Sequence, residues 1–185
     1  IAEENDRIRA HDELPQSAAG RTIMTTEPKF VPNQAVSINI EDGLDVNVRL
    51  VDCVGYAVDG AKGFEDEDGP RMINTPWYED PIPFHDAAEI GTRKVIQEHS
   101  TIGIVITTDG TIGDIPRTDY VDAEMKVIHE LKEVGKPFIM IVNSARPTDK
   151  DTEMLRQKLA EEHDVPVLCM SIETMNEHDV YNVLR

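Results

Sequence analysis

The second half of the chain contains three short apolar runs, and longer segments with helical periodicity separate them. The runs are Ile102–Ile106, Phe138–Val142 and Val165–Met170. Because they are apolar at successive positions, they are typical of strands buried on both faces of a parallel sheet. The other segments predict helices at Phe84–His99, at Thr118–Val134, from Thr148 onward and from near Met175. This alternation predicts an α/β fold with a mostly parallel sheet and flanking helices.

Two of these helices carry an apolar stripe that we expect to pack on the sheet. In the predicted helix Thr118–Val134, which Gly135 should end, the stripe consists of Val121, Val127, Ile128, Leu131 and Val134. In the helix that starts at Thr148, one side presents Met154, Leu155, Lys158 and Leu159.

The first half predicts an antiparallel hairpin followed by a long loop. Val36–Ile40 and Val46–Val51 are rich in β-branched residues, and Glu41-Asp42-Gly43 between them has the composition of a hairpin turn. From Cys53 to Pro83, glycine, proline and acidic residues interrupt every periodicity, and loops of this length tend to be functional. We therefore divide one domain, 1–185, into a switch-like segment (1–35), a hairpin (36–52) that contributes an antiparallel strand, a long loop (53–83) and a helix–strand half (84–185).

Composition excludes several classes of protein. The chain has 36 acidic and 18 basic residues and a net charge of −18 at pH 7, which excludes nucleic-acid binding by phosphate neutralisation and disfavours anionic lipid. No apolar run approaches the roughly 18 residues of a spanning helix, and no signal peptide opens the chain. Cys53 and Cys169 lie in apolar runs, which favours free thiols in a reducing, cytoplasmic compartment. The absent initiator Met at Ile1 and the helix-like ending at Arg185 suggest a piece of a longer protein, truncated at both ends.

Ligands of parallel sheets bind beyond the carboxyl ends of the strands, so the residues after each strand are the candidates for function. Asp52-Cys53-Val54-Gly55 follows Val51 directly and forms a D-x-x-G motif. There an aspartate can hold Mg²⁺ through water, and a glycine can bring its N–H to a terminal phosphate. An ordinary Asp-Gly turn at a strand end explains the same residues.

A threonine-rich loop precedes the hairpin, with Thr22, Thr25 and Thr26 between Gly20 and Pro28. Threonines commonly form such turns by themselves. In a switch segment, a threonine hydroxyl instead completes the Mg²⁺ shell, and a backbone carbonyl orients the attacking water. The loop and the D-x-x-G together favour the switch more than either does alone.

Two further strand ends concern the nucleotide base. Asn143-Ser144-Ala145-Arg146 follows Val142, where guanine-binding relatives carry N-K-x-D. The lysine and the base-binding carboxylate are both missing, which favours ATP over GTP. The loop Thr107–Asp114 offers hydroxyls and glycines for a nucleotide pocket or a neighbouring subunit, although turn formation explains it equally well. Arg117 and Arg146 are either phosphate ligands or ordinary surface arginines.

Other catalytic patterns are missing from the sequence. The six histidines show no zinc-site spacing, and there is no G-x-S-x-G motif. A phosphate-binding G-x-x-x-x-G-K-[ST] is also missing, and we expect it to be encoded just before Ile1. The 185 residues by themselves should therefore bind nucleotide weakly or not at all, and be inactive.

Four runs of sequence resemble one family closely. They are His11–Ala35, Val48–Tyr56, Gly69–Tyr78 and His99–Asp114, and the similarity extends essentially over the whole chain. The sequence resembles the stage IV sporulation protein A family, the spore-coat morphogenetic ATPases of endospore-forming bacteria. The resemblance implies a P-loop NTPase-like domain related to translation-factor GTPases, within a longer protein.

The same resemblance implies a function. Members hydrolyse ATP with Mg²⁺, and hydrolysis drives self-assembly into a static polymer, the basement layer of the spore coat on the forespore surface facing the mother-cell cytoplasm. Implied partners are other copies of the protein and, through regions outside this chain, coat proteins and the small membrane peptide stage V sporulation protein M. No nucleic acid and no transmembrane segment are expected.

The resemblance also assigns roles to individual residues. Asp52 matches the Walker B aspartate, and Thr25 and Thr26 match the sensor threonines, which makes these three the catalytic candidates. Asp52 and Thr25 are the candidate Mg²⁺ ligands, and the nucleotide-binding candidates are Gly55, Asn143 and Ser144.

Tyr56 stands where translation GTPases carry a histidine. A phenol is a poor general base at neutral pH because its ordinary pKa is about 10, so slow turnover is expected. The long loop with Trp77 and Tyr78 is the candidate for the element that responds to hydrolysis. Alternatives to an ATPase are a nucleotide-independent scaffold and, less favoured, a GTP-specific switch.

Overall fold

The computed structural model describes residues 29–41, 43–66 and 68–184. The chain forms two compact units, Ile1–Gly55 with Lys62–His99, and Tyr56–Ala61 with Ser100–Arg185. Each unit has its own secondary structure. The organisation of 1–185 as one domain stays a prediction.

The first unit contains the predicted hairpin. Strands β1 (Lys29–Glu41) and β2 (Leu44–Asp52) pair antiparallel, with Ile38 opposite Val46 and Gly43 at φ +85° in the turn. β1 begins earlier than the predicted Val36, so the hairpin includes residues 29–35, and the assignment of 1–35 to a switch-like segment stays a prediction. The hairpin is a two-stranded sheet of its own and, among the described residues, is not hydrogen-bonded to the parallel strands, which corrects the expectation of one mixed sheet.

The segment from Cys53 to Pro83 is not the structureless loop that its composition predicts. It contains two small antiparallel pairings, β3 (Glu65–Asp66) with β4 (Gly69–Pro70), and β5 (Met72–Ile73) with β6 (Ile82–Pro83). Pairings of two residues are too short to produce a periodic pattern, which is why the sequence did not predict them.

Helix α1 (Phe84–Lys94) follows directly and continues as a π-helical turn, Val95–His99, so the predicted helix is confirmed with an altered last turn. Phe84 is 1% exposed, and Phe64 meets its ring edge-on at 5.3 Å. The Arg71 guanidinium lies 4.7 Å from the centre of the same ring and donates a hydrogen bond to the Gly63 carbonyl. These contacts attach the short pairings to α1.

The second unit is built on a three-stranded parallel sheet. In their order across the sheet, the strands are β7 (Gly103–Thr108), β8 (Phe138–Asn143) and β9 (Val167–Met170). The helices are α2 (Val121–Glu133), preceded by a 3₁₀ turn at Arg117–Tyr120, then α3 (Lys150–His163) and α4 (Glu177–Leu184). All three predicted strands and the parallel sheet are confirmed.

Close packing of α2 on the sheet favours a glycine at position 103. A Cβ placed on Gly103 would lie 3.0 Å from both Leu131 and Phe138, which is tighter than most real Cβ contacts. Leu131 and Ile128 are 2% and 3% exposed, so they form the buried part of the predicted stripe. Gly135 ends the helix at φ +66°, as predicted.

Two packing predictions are wrong. Ile104 and Ile106 in β7 are 40% and 58% exposed, so this strand is not covered on both faces by the described residues. In α3, Met154 is 58% exposed, whereas Thr152, Leu159 and His163 are buried. The predicted stripe of α3 therefore points partly to solvent.

None of the helices formed by the described residues has the length and apolar character needed to span a bilayer.

Candidate nucleotide-binding site

The D-x-x-G motif of the first unit lies at the carboxyl end of β2. Asp52 is the last residue of the strand and is half-buried. Burial raises the pKa of Asp52, and a hydrogen bond from the Cys53 backbone opposes this only in part. Gly55 has φ +84°, and among the described residues no atom outside its two chain neighbours lies within 4 Å of where its Cβ would stand. The turn at Gly55, whose positive φ favours glycine, thus follows the partly desolvated carboxylate of Asp52.

This carboxylate suits Mg²⁺ in a nucleotide site. Among residues 29–41, 43–66 and 68–184, no three His, Cys, Asp or Glu side chains are grouped so that they could hold a metal ion. Magnesium in nucleotide sites takes only one or two carboxylates and completes its shell with phosphates and water. Asp52 fits that pattern. Thr25 and Thr26, its predicted companions, lie outside the described residues.

In the second unit, Asn143 and Ser144 are engaged within the protein. The Asn143 side-chain oxygen accepts a hydrogen bond from the Ile172 backbone at 3.0 Å, and the Ser144 backbone N–H donates to the Met170 carbonyl at 2.9 Å. These two hydrogen bonds join the carboxyl end of β8 to the carboxyl end of β9 and the residues that follow it. Their predicted role as nucleotide ligands stays a prediction.

Asp109, which the sequence did not single out, is the centre of the polar contacts at this edge of the sheet. Its carboxylate accepts hydrogen bonds from the hydroxyls of Ser144 (2.6 Å), Thr111 (2.6 Å) and Thr152 (2.8 Å), and from the Thr111 backbone N–H (3.0 Å). Ser144 is fully buried and Thr152 is 3% exposed. Two of these partners are 35 and 43 residues away in the chain, so no local motif could have revealed them.

The ionised form of Asp109 is stabilised by this arrangement. Burial alone would raise the pKa of Asp109, but the hydrogen bonds from Ser144, Thr111 and Thr152 outweigh it and hold the pKa below its ordinary value of 3.8. The group is therefore a carboxylate at neutral pH and acts only as a hydrogen-bond acceptor.

The family model of the stage IV sporulation protein A ATPase domain matches residues 1–185, the whole chain. The chain belongs to this family. The resemblance read from the four sequence runs is confirmed.

Similar curated relatives agree with this assignment. Stage IV sporulation protein A of Bacillus anthracis is 76% identical to the chain, that of Bacillus subtilis (strain 168) is 75% identical, and that of Clostridioides difficile (strain 630) is 49% identical. Each alignment covers 100% of this chain and 38% of the relative. The chain thus spans well under half the length of these proteins. No solved structure matches it.

The two arginines of this sporulation ATPase domain differ in their surroundings. Arg117 donates to the Glu124 carboxylate at 2.8 Å, and both side chains are largely buried, so Glu124 balances the charge of Arg117. Gly110 packs against it, since a Cβ there would lie 3.0 Å from the Arg117 backbone nitrogen. Arg146 is 67% exposed and has an ion-pair distance of 3.3 Å to Asp149, so only Arg146 offers its charge to the surface.

Tyr56 in this ATPase domain is buried and lies against a lysine side chain. Its side chain is 8% exposed, and the Lys126 ammonium lies 4.6 Å from the centre of its ring. Cation–π contact of this kind orders both side chains. The expectation that Tyr56 does not deprotonate the attacking water stays a prediction.

Both cysteines are free thiols, as expected, and we predict that Cys169 reacts slowly. Burial, and then the charge of Glu153, raise the pKa of Cys169 to about 11 from 9.0. Because only the thiolate is nucleophilic, a two-unit increase lowers its fraction at pH 8 about 100-fold. Iodoacetamide labelling followed by peptide mass spectrometry should show that slowing relative to protein unfolded in urea, with a rate that increases up to about pH 11. Equal labelling rates in native and unfolded protein would contradict this assignment.

Proposed function

We propose that this domain, in a protein of its relatives' length, hydrolyses ATP with Mg²⁺ and thereby drives self-assembly of the protein into a static polymer. The polymer would be the basement layer of the spore coat, on the forespore surface facing the mother-cell cytoplasm. The observation that carries the proposal is the match of a sporulation ATPase domain to all 185 residues. A P-loop NTPase-like fold, with the phosphate-binding loop outside these residues, is part of the proposal.

Each candidate residue has a defined task in this proposal. Asp52 holds Mg²⁺, Thr25 completes the metal shell, and Gly55 places its backbone N–H near the terminal phosphate. Thr26 and Thr25 orient the attacking water. When bound, Mg²⁺ neutralises charge on the phosphates. The raised pKa of Asp52 supports its part, because a half-buried carboxylate gains most from a nearby cation.

The choice of ATP is supported by the loop after β8. Arg146 stands where a guanine site would present a carboxylate, and its side chain is exposed. The nearby Asp109 cannot replace that carboxylate, because its oxygens already accept hydrogen bonds from Ser144, Thr111 and Thr152. Neither Arg146 nor Asp109 therefore offers an acceptor to guanine's N1–H and amino group, whereas adenine has no donor at N1.

We predict slow turnover with a preference for ATP. In the full-length protein, initial rates should give a kcat below about 10 per second, the typical enzyme value, because Tyr56 is a poor base where translation GTPases carry a histidine. The value of kcat/KM should favour ATP over GTP by about 10-fold or more, a difference of about 1.4 kcal/mol.

An Arg146→Asp variant tests the reason for the preference, since it restores a carboxylate at that position and should shift the ratio towards GTP. Arg93→Asp, in α1 of the other unit, is the charge-matched control. Faster turnover would contradict the assignment of water orientation without a base, and a preference for GTP would favour the GTP-specific switch.

A nucleotide-independent scaffold is the second candidate, favoured by the net charge of −18 and by the missing phosphate-binding motif. Titration with fluorescent ATP separates the two proposals. The full-length protein should bind and should assemble only with hydrolysable ATP, whereas the 185 residues alone should bind weakly or not at all. Assembly at the same rate without nucleotide would establish the scaffold. The remaining proposed partners, stage V sporulation protein M and coat proteins, would bind through regions outside this chain.

A further inference from the structure

The Asp109 carboxylate joins three segments that are distant in sequence. It belongs to the loop after β7, Ser144 belongs to the loop after β8, and Thr152 lies in the first turn of α3. All three meet at the carboxyl edge of the parallel sheet, where ligands of such sheets bind. Ser144 and Thr152 are buried, whereas Asp109 is partly exposed.

The chemistry of a carboxylate fixes the direction of these hydrogen bonds. An ionised Asp109 can only accept, so the hydroxyls of Ser144 and Thr111 must both donate to it. Their lone pairs are then left to accept from the backbone. The Ser144 hydroxyl accepts from the Arg146 N–H at 2.9 Å, and the Thr111 hydroxyl accepts from the Ala145 N–H at 2.9 Å.

Asp109 therefore acts on the backbone conformation of the loop after β8 through the hydroxyls of Ser144 and Thr111. The consecutive N–H groups of Ala145 and Arg146 are both held by hydroxyls that Asp109 orients. The Thr152 hydroxyl adds a contact of 3.2 Å with the Arg146 carbonyl. Both oxygens of the carboxylate already accept hydrogen bonds from within the protein, so we expect its effect on a ligand to be indirect.

We propose that Asp109 is the positioning residue of the base-binding loop, and that through Ser144 and Thr111 it holds Asn143–Arg146 in the conformation that receives the adenine of ATP. This inference rests on the proposed ATPase function. It assigns recognition of the base, but not of the phosphates, to the Asp109 cluster (Asp109, Thr111, Ser144 and Thr152).

The test uses the full-length protein with Asp109→Asn, which keeps the shape but introduces a donor where two hydroxyls need an acceptor. The KM for ATP should increase about 10-fold or more, as expected for loss of hydrogen bonds to a charged group, while kcat stays within about two-fold. Inorganic tripolyphosphate, which has no base, should inhibit the variant and the wild-type protein equally. A merely structural role would not separate ATP from tripolyphosphate.

A second pair of variants covers the case in which Asp109→Asn does not fold. Thr111→Val removes the hydroxyl that links Asp109 to the Ala145 N–H, and Thr111→Ser keeps it. We expect the KM for ATP to rise in the first and to stay near the wild-type value in the second. Asp114→Asn, an exposed carboxylate of the same loop, is the matched control and should change nothing.

The outcomes distinguish this inference from the proposed function. If Asp109→Asn and Thr111→Val leave the KM for ATP within about two-fold of wild type, or if ATP and tripolyphosphate weaken equally, the positioning role is overturned and the ATPase proposal stands. If the wild-type protein binds tripolyphosphate as well as ATP, this inference alone is overturned, whereas a wild-type protein that does not hydrolyse ATP overturns both.

Discussion

Replacing Asp52 with alanine in the full-length protein is expected to lower the rate of ATP hydrolysis by about 100-fold or more, because the proposed Mg²⁺ site loses its carboxylate. Polymer formation should be lost with it, if hydrolysis drives assembly. Steady-state phosphate release measures the first effect, and sedimentation of polymer with and without ATP measures the second.

The fold should survive this replacement. Burial raises the pKa of Asp52, so its ionised form at neutral pH is less stable in the folded protein than in the unfolded chain. Alanine removes that cost, and the variant should unfold at a temperature no lower than wild type. Asp45→Ala, an exposed carboxylate on the same strand, is the matched control and should hydrolyse ATP normally.

Two different results would count against these roles. Normal hydrolysis by the Asp52→Ala variant would remove Asp52 from the metal site. Loss of hydrolysis with normal polymer formation would instead show that assembly does not depend on the reaction, which favours the scaffold.

Two methionines of the second unit should respond very differently to truncation. Met140 in β8 is fully buried, and Met140→Ala should lower the free energy of unfolding by about 2–5 kcal/mol through lost burial and the cavity it leaves. Met154 in α3 is 58% exposed, so Met154→Ala should change the free energy of unfolding by no more than about 0.5 kcal/mol.

Urea unfolding followed by circular dichroism compares the two variants in the same protein. The pair is matched in residue type, so only the surroundings differ. A large loss of stability in Met154→Ala would mean that this face of α3 is covered in solution. A small loss in Met140→Ala would place β8 outside the core.

Periodicity was sufficient for the elements whose signal is local. The runs Ile102–Ile106 and Phe138–Val142 are strands because apolar, β-branched residues cluster in them, and the helix stop at Gly135 follows from its freedom at positive φ. The hairpin was predicted from its turn residues. Each of these features depends on neighbours in the chain, so a single sequence is enough to find it.

Helix faces were harder to predict. The pattern predicts Met154 and Leu159 on the same apolar side of α3. Met154 is 58% exposed, however, whereas Leu159 is buried. Which side of a helix is buried depends on the surface it meets, and the helical pattern alone does not contain that surface. The exposure of Ile106 has the same origin, since burial of a strand face requires another element to cover it.

The sequence by itself determined the α/β class, the three parallel strands, the D-x-x-G at the end of β2, the missing guanine carboxylate and, through its resemblance, the family. Only the tertiary structure decided that the hairpin forms a separate sheet, that Arg117 is held by Glu124, and that Asp109 organises the loop after β8. The physical reason is the range of the interactions. Strands, turns and motifs arise from adjacent residues, whereas a carboxylate finds hydroxyl partners 35 and 43 positions away only after the chain has folded.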